Sequence, residues 1–291
     1  MIFQEVYDEE FRFLDFWDAL EMGLYFVIVG YYFLIFAYFL VMRYRTSKKL
    51  YWLFFSLLFL FFAAGRVFFI GYYFFIPELE GTLSDKALIS TLMLYYKLAT
   101  FFSWMGIACA MGLLGILLFP PEAELDQNIA KKEESKRALK ITLSNNMKIF
   151  LRIVLIVIPI IVGILVLVLP DNLFIDPDIA EKYDYNGEVV TINIGFGPYP
   201  IGRFILNIIL LPLLAALIPF IFLYLALKTF GVLRKSYALN AIGFFLYYLG
   251  RITQGFFETL RWHHIQATIP PLMILCSLLI IVIANNYEQL R

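Results

Sequence analysis

Long apolar runs separated by short polar stretches dominate this chain, at Leu20–Met42, Tyr51–Ile76, Ala87–Phe119, Ile149–Leu169, Phe204–Leu227, Tyr237–Phe257 and Ala267–Ile283. A run of about 20 apolar residues crosses a hydrocarbon core roughly 30 Å thick as a helix, because backbone groups in lipid can bond only one another. The pattern therefore predicts an all-α membrane fold, a seven-transmembrane helical bundle forming one domain over residues 1–291. The third run is long enough to tilt or to project beyond the bilayer. Residues 1–19 mix aromatic with acidic positions and read as an amphipathic segment on the outer surface. Helices 1–3 then occupy 20–119, a linker helix 149–169, an outer loop 170–203 and helices 5–7 the remainder, 204–291. Between helices 3 and 4, Glu122–Lys148 alternates in charge with helical spacing, as in Glu133 and Arg137, and reads as a solvated helix or a docking surface. The outer loop contains Asn186-Gly187 between β-formers, which predicts a β-hairpin turning at that pair.

Charge sets the expected orientation. Short loops rich in Lys and Arg stay in the cytoplasm. Arg43, Arg45, Lys48 and Lys49 follow the first run, seven cations from Lys131 to Arg152 lie between the third and fourth, and Lys228, Arg234 and Lys235 follow the fifth. The other set of loops holds only Arg12, Lys86, Lys182, Arg203 and Arg261. The N-terminus is accordingly expected outside and the C-terminus in the cytoplasm, in a multi-pass integral protein of the plasma membrane. No cleavable signal peptide is expected, since the first residues are acidic and no small-residue cleavage site precedes the first run. With 62% hydrophobic residues, 16% charged residues and no net charge, the chain has the composition of a bilayer protein and no basic surface for nucleic acid. Cys109 and Cys276 fall within runs, so free thiols are expected.

An internal repeat shapes the topology further. Lys48-Lys49-Leu50-Tyr51 resembles Arg234-Lys235-Ser236-Tyr237, and Arg66 and Arg251, each preceded by glycine, follow the tyrosines by 15 and 14 residues. Upstream, Phe36–Met42 faces Phe220–Ala226. Helices 1–3 and 5–7 thus read as parallel units joined by helix 4. This three-plus-one-plus-three plan resembles that of SWEET sugar-efflux proteins, microbial rhodopsins and, more loosely, seven-helix receptors. The ending Asn285–Arg291 looks like the start of an exit helix and resembles the seven-helix sensor regions that precede histidine kinases. The resemblance is one of topology. Helix 7 has no lysine for a retinal Schiff base, helix 3 ends in Phe119-Pro120-Pro121 without an acid-Arg-aromatic triplet, and no Pro-Gln pair marks a SWEET-type repeat.

Three cations, Arg66, Lys97 and Arg251, fall inside the runs, where each costs at least about 2.5–3.5 kcal/mol on insertion scales. Two readings stay open for them. They snorkel outward or pair with carboxylates and carbonyls to hold the bundle together, or they form an outward-facing site for a polar or anionic ligand. In the second case Tyr95, Tyr96, Tyr247 and Tyr248 supply walls and hydroxyls, and Glu258, two turns beyond Arg251, supplies a counter-charge. Asp18 and Glu21 are further candidate counter-charges. His263 and His264 are adjacent, which does not suit a metal, and no nucleophile, phosphate loop or deep acid pair suggests an enzyme or a cofactor. The expectation is a receptor or sensor-like protein that binds an outer-side or lipid-borne ligand and acts through a cytoplasmic partner. The alternatives are a parallel-repeat transporter of a small polar or anionic solute and a structural subunit of a membrane complex.

Overall fold

The computed structural model describes residues 16–119, 144–185, 187–193, 197–259 and 262–286. Most of the amphipathic segment, most of the charged stretch after helix 3, and the ending 287–291 lie outside them. Among the described residues seven long helices alternate in direction: α1 (Phe16–Tyr38), α2 (Leu50–Ile70), α3 (Asp85–Leu118), α4 (Asn145–Val168), α5 (Leu211–Lys228), α6 (Gly231–Thr259) and α7 (His263–Asn286). Six helical segments are long and apolar enough to cross a membrane. The exception is α6, 29 residues long, whose Arg234, Lys235, Asn240, Arg251, Thr253 and Gln254 dilute its apolar stretch. The chain has the build of an integral membrane protein, with six such spans among the described residues.

Three helices are extended by wider π-type turns, α1 through Phe39–Tyr44, α2 through Gly71–Phe75 and α5 upstream through Phe204–Leu210. Lys48, in the left-handed region at φ 54°, stops the first of these, and the chain re-enters helix at Leu50. On α1 the buried residues Glu21, Tyr25, Ile28, Val29, Tyr32 and Ile35 recur at helical spacing and form one inward stripe.

The helices pack as a ring in which α1 touches α2, α2 touches α3, α3 touches α5, α5 touches α6, α6 touches α7, and α7 returns to α1. α4 lies outside the ring against α3, and Ile153, Val157, Ile161, Ile164 and Val168 remain exposed on it. Within lipid no hydrophobic gain draws helices together, so close packing at small residues takes over. Phe54 and Phe62 of α2 lie over Gly112 and Gly106 of α3, and Tyr95 of α3 lies over Gly71. On the opposite side Ile281 of α7 covers Gly243 of α6. Across the ring, α2 and α6 meet through aromatic pairs, Phe55 with Phe244 and Phe62 with Tyr247, at ring-centre distances of 6.3 and 5.3 Å.

At the basic end the last turn of α7 is tied to its neighbours. Arg43 Nη2 donates to Asn286 Oδ1 at 2.9 Å and to the Asn285 carbonyl at 3.2 Å, and Tyr38 also donates to Asn286. Asn285 donates to Asn240 of α6 at 2.9 Å, and Ser236 to the Ala284 carbonyl at 2.7 Å. A cation at a helix C-terminus answers both the unpaired carbonyls and the dipole. Both cysteines are free, Cys109 buried and Cys276 exposed on the outside of α7.

The other end is covered by the connection from α4 to α5. Its short helix Pro177–Lys182 is capped by Asp176, which accepts from the Asp178 amide at 3.1 Å. The strands are β1 (Thr191–Asn193) and β2 (Pro198–Pro200), antiparallel with Ile192 opposite Tyr199. The expected second strand thus pairs with 198–200 and not with residues 183–185. The would-be first strand is taken by helix termination instead: Tyr183 is buried, Asp184 adopts φ 47°, and the Tyr185 amide bonds back to the Ala180 carbonyl at 2.9 Å. Asn186 itself lies outside the described residues.

Candidate functional site

Two arginine-centred clusters occupy the half of the bundle beneath this covering loop. The first lies between α1, α2 and α6. Arg66 sits 16 residues into α2, roughly 24 Å along its axis, and is only 3% exposed. Its guanidinium lies over the Tyr25 ring at 4.3 Å, and its Nη2 has no hydrogen-bond partner among the described residues. The Tyr25 hydroxyl donates to Glu21 Oε1 at 2.7 Å, and Glu21 is itself buried. The Tyr32 hydroxyl donates to that of Tyr247 at 3.1 Å. Arg251, half-buried on α6, places its guanidinium over the Phe69 ring at 5.7 Å. Both guanidiniums lie within electrostatic reach of the Tyr25 and Tyr32 hydroxyls.

The second cluster joins α2, α3, the start of the α5 segment and the covering loop. Arg203, 7% exposed, donates through Nε to the Phe174 carbonyl and through Nη2 to the Tyr72 hydroxyl at 2.8 Å, with Asp176 at 3.9 Å. Its guanidinium lies over the Tyr96 ring at 4.4 Å, and Asn207 donates to the Tyr96 hydroxyl at 2.8 Å. Lys97 is neighbour to this loop as well: its ammonium meets Asp171 at 2.5 Å and the Leu169 carbonyl, just past the end of α4, at 2.6 Å. A third strap joins Lys182 to Glu80 at 2.7 Å. Partial burial works to lower the Lys182 pKa, but hydrogen bonds from its ammonium to Glu80 and Tyr183 outweigh it and raise it. A raised folded-state value means that the strap is intact at neutral pH and fades only as the pH climbs past the ordinary lysine range.

Of the eight residues expected to form one ligand site, Arg66, Arg251 and Tyr247 come together. Lys97 and Tyr96 belong to the loop-facing cluster, and Tyr95 packs on Gly71 and edge-on to Phe68 at 5.6 Å. Tyr248 lines a small cavity of about 20 Å³ with Tyr247, Phe62, Ile107, Ile218 and Phe244. That volume holds about one water. Glu258 lies on α6, with its side chain outside the described residues. The residues not anticipated are Tyr25 and Tyr32 of α1 and Arg203. The tyrosines had a readable signal, since Glu21, Tyr25 and Tyr32 share one helical face. Arg203 had none, standing at the margin of an apolar run like an ordinary loop cation. Compared with protein-family models, with characterised proteins and with solved structures, the chain matches none.

Proposed function

We propose that this protein is a seven-helix receptor or sensor of the plasma membrane that binds a polar or anionic ligand between α1, α2 and α6 and acts through a cytoplasmic partner. In this reading α6 is the seventh span, and the covered end faces outward. The observation that carries it is the Nη2 of Arg66, buried in the bundle without a hydrogen-bond partner among the described residues. An unanswered cation at that depth is costly, and a bound anion answers it. Loop composition supports the orientation, with Lys48, Lys49, Lys228, Arg234 and Lys235 together at the end away from the covering loop. Cysteine introduced as Glu188→Cys is expected to react with an impermeant maleimide added to intact cells, and Lys48→Cys only after permeabilisation. The reverse pattern overturns the orientation.

A parallel-repeat transporter is the second reading, favoured by the symmetry of the ring. Exchanging helices 1–3 with helices 5–7 maps each ring contact onto another, leaving α4 outside as the linker. Arg66 and Arg251 then become equivalent positions on α2 and α6, which face each other across the ring. Sodium acetate, benzoate, phosphate and sulfate form a sufficient panel for the ligand. At least one is expected to raise the unfolding midpoint of the purified protein saturably, and Arg66→Met is expected to abolish that rise. If none does so while Arg66→Met remains as stable as the parent, the ligand reading is wrong. Time-dependent accumulation of the active anion in proteoliposomes favours the transporter.

A further inference from the structure

The geometry points to a small organic monocarboxylate, one carboxylate on an apolar or aromatic body, as the ligand of the Arg66 cluster, an inference that rests on the receptor reading above. Charge counting comes first. Two guanidiniums share this cluster, and neither makes an ion pair with a described carboxylate. Glu21, which accepts from Tyr25, is the only buried carboxylate among the described residues. One further negative charge balances the described charges of the site. A dianion such as sulfate or hydrogen phosphate would overshoot by one charge where low polarity makes the excess expensive.

Shape points the same way. Each guanidinium lies over a ring, Arg66 at 4.3 Å from the Tyr25 centre and Arg251 at 5.7 Å from that of Phe69, and Arg66 keeps Nη2 without a hydrogen-bond partner among the described residues. An arginine N–H edge can give a carboxylate two parallel hydrogen bonds, as it can a phosphate, so the surroundings decide between them. The remaining surroundings are rings. Tyr25 lies 6.4 Å from Phe74, Tyr32 lies 6.1 Å from both Phe59 and Phe62, and Phe62 stacks on Tyr247. Such walls take an apolar body and offer a hydrated inorganic ion little in exchange for its water. Gln254, buried one turn beyond Arg251 on α6, adds an amide near the same face.

A carboxylate of this kind comes either from solution or from the bilayer as a free fatty acid, and one experiment separates the sources. The full chain is placed in phosphatidylcholine nanodiscs free of fatty acid. Its unfolding midpoint is followed with sodium benzoate, benzyl alcohol or sodium phosphate in solution, or with oleate in the disc. Benzoate or oleate is expected to raise the midpoint saturably, and benzyl alcohol and phosphate are not. A response to benzoate assigns a soluble source and a response to oleate alone a lipid one. Arg251→Met is expected to weaken the apparent affinity about tenfold or more, the loss of one charge-assisted contact, and Arg66→Met to abolish the response. Because Arg66→Met could unfold the bundle, Arg251→Met carries the test alone if it does, Arg251 being half-buried. A response to phosphate equal to that of benzoate, and lost in these variants, overturns the carboxylate class but leaves an anion receptor standing. A benzoate response unchanged in Arg251→Met, or no response to any anion from the folded parent, overturns both.

Discussion

Arg203→Met is expected to lower the unfolding free energy by about 3 kcal/mol, the largest loss from any single charge outside the Arg66 cluster. The arginine is buried where the covering loop meets the bundle, and it satisfies the Phe174 carbonyl and the Tyr72 hydroxyl together. Methionine fills much of the volume but leaves both acceptors in an apolar setting, with Phe174 and Ile175 fully buried beside them. Lysine is not expected to rescue it, because its compact ammonium cannot span the two acceptors that Nε and Nη2 of the guanidinium reach separately. Tyr72→Phe removes one partner and is expected to cost about 1 kcal/mol. Denaturant titration in mixed micelles measures these differences. An Arg203→Met protein within about 0.5 kcal/mol of the parent would show that the loop rests on the bundle without being anchored by this residue.

The same residue marks what sequence reading reaches and where it stops. Helices are legible because hydrocarbon leaves the backbone no choice, so six apolar runs translate directly into six membrane-competent helices. α6 is legible as a helix but less so as a span, since its polar residues serve the interior of the ring and the α7 clasp. Partner choice is not legible. Lys97 pairs with Asp171, 74 residues away, because α4 returns the chain to the same end of the bundle beside α3. Asn186-Gly187 carries strong hairpin chemistry, yet at residues 183–185 before it burial of Tyr183 and the end of the short helix decide the backbone. With 19 tyrosines in the chain, residue type alone could not pick Tyr25 and Tyr32 as neighbours of Arg66. Only the choice of helical face does that, and the face is set by which helices flank α1.

The proposed repeat makes a prediction that neither half makes alone. A Cβ built on Gly65 would lie 3.1 Å from the Ala99 carbonyl oxygen of α3, and one built on Gly250 would lie 3.2 Å from the Pro270 carbonyl oxygen of α7. Each glycine precedes the arginine of its unit, and each lets the second helix of a triplet approach the backbone of the third. Backbone cannot step aside as a side chain can, so bulk at either place must push two helices apart. Gly65→Leu and Gly250→Leu are therefore each expected to cost about 1–3 kcal/mol, at the upper end of overpacking penalties, and by similar amounts. The control is Gly30→Leu on α1, where nothing lies within 4 Å of the added Cβ; its cost is expected to stay within about 0.5 kcal/mol. Similar losses at 65 and 250 follow if the two triplets are copies of one packing unit. A large loss at one and none at the other would mean that the paired Gly-Arg sequences fell into unrelated surroundings, and the equivalence of Arg66 with Arg251 would fall with them.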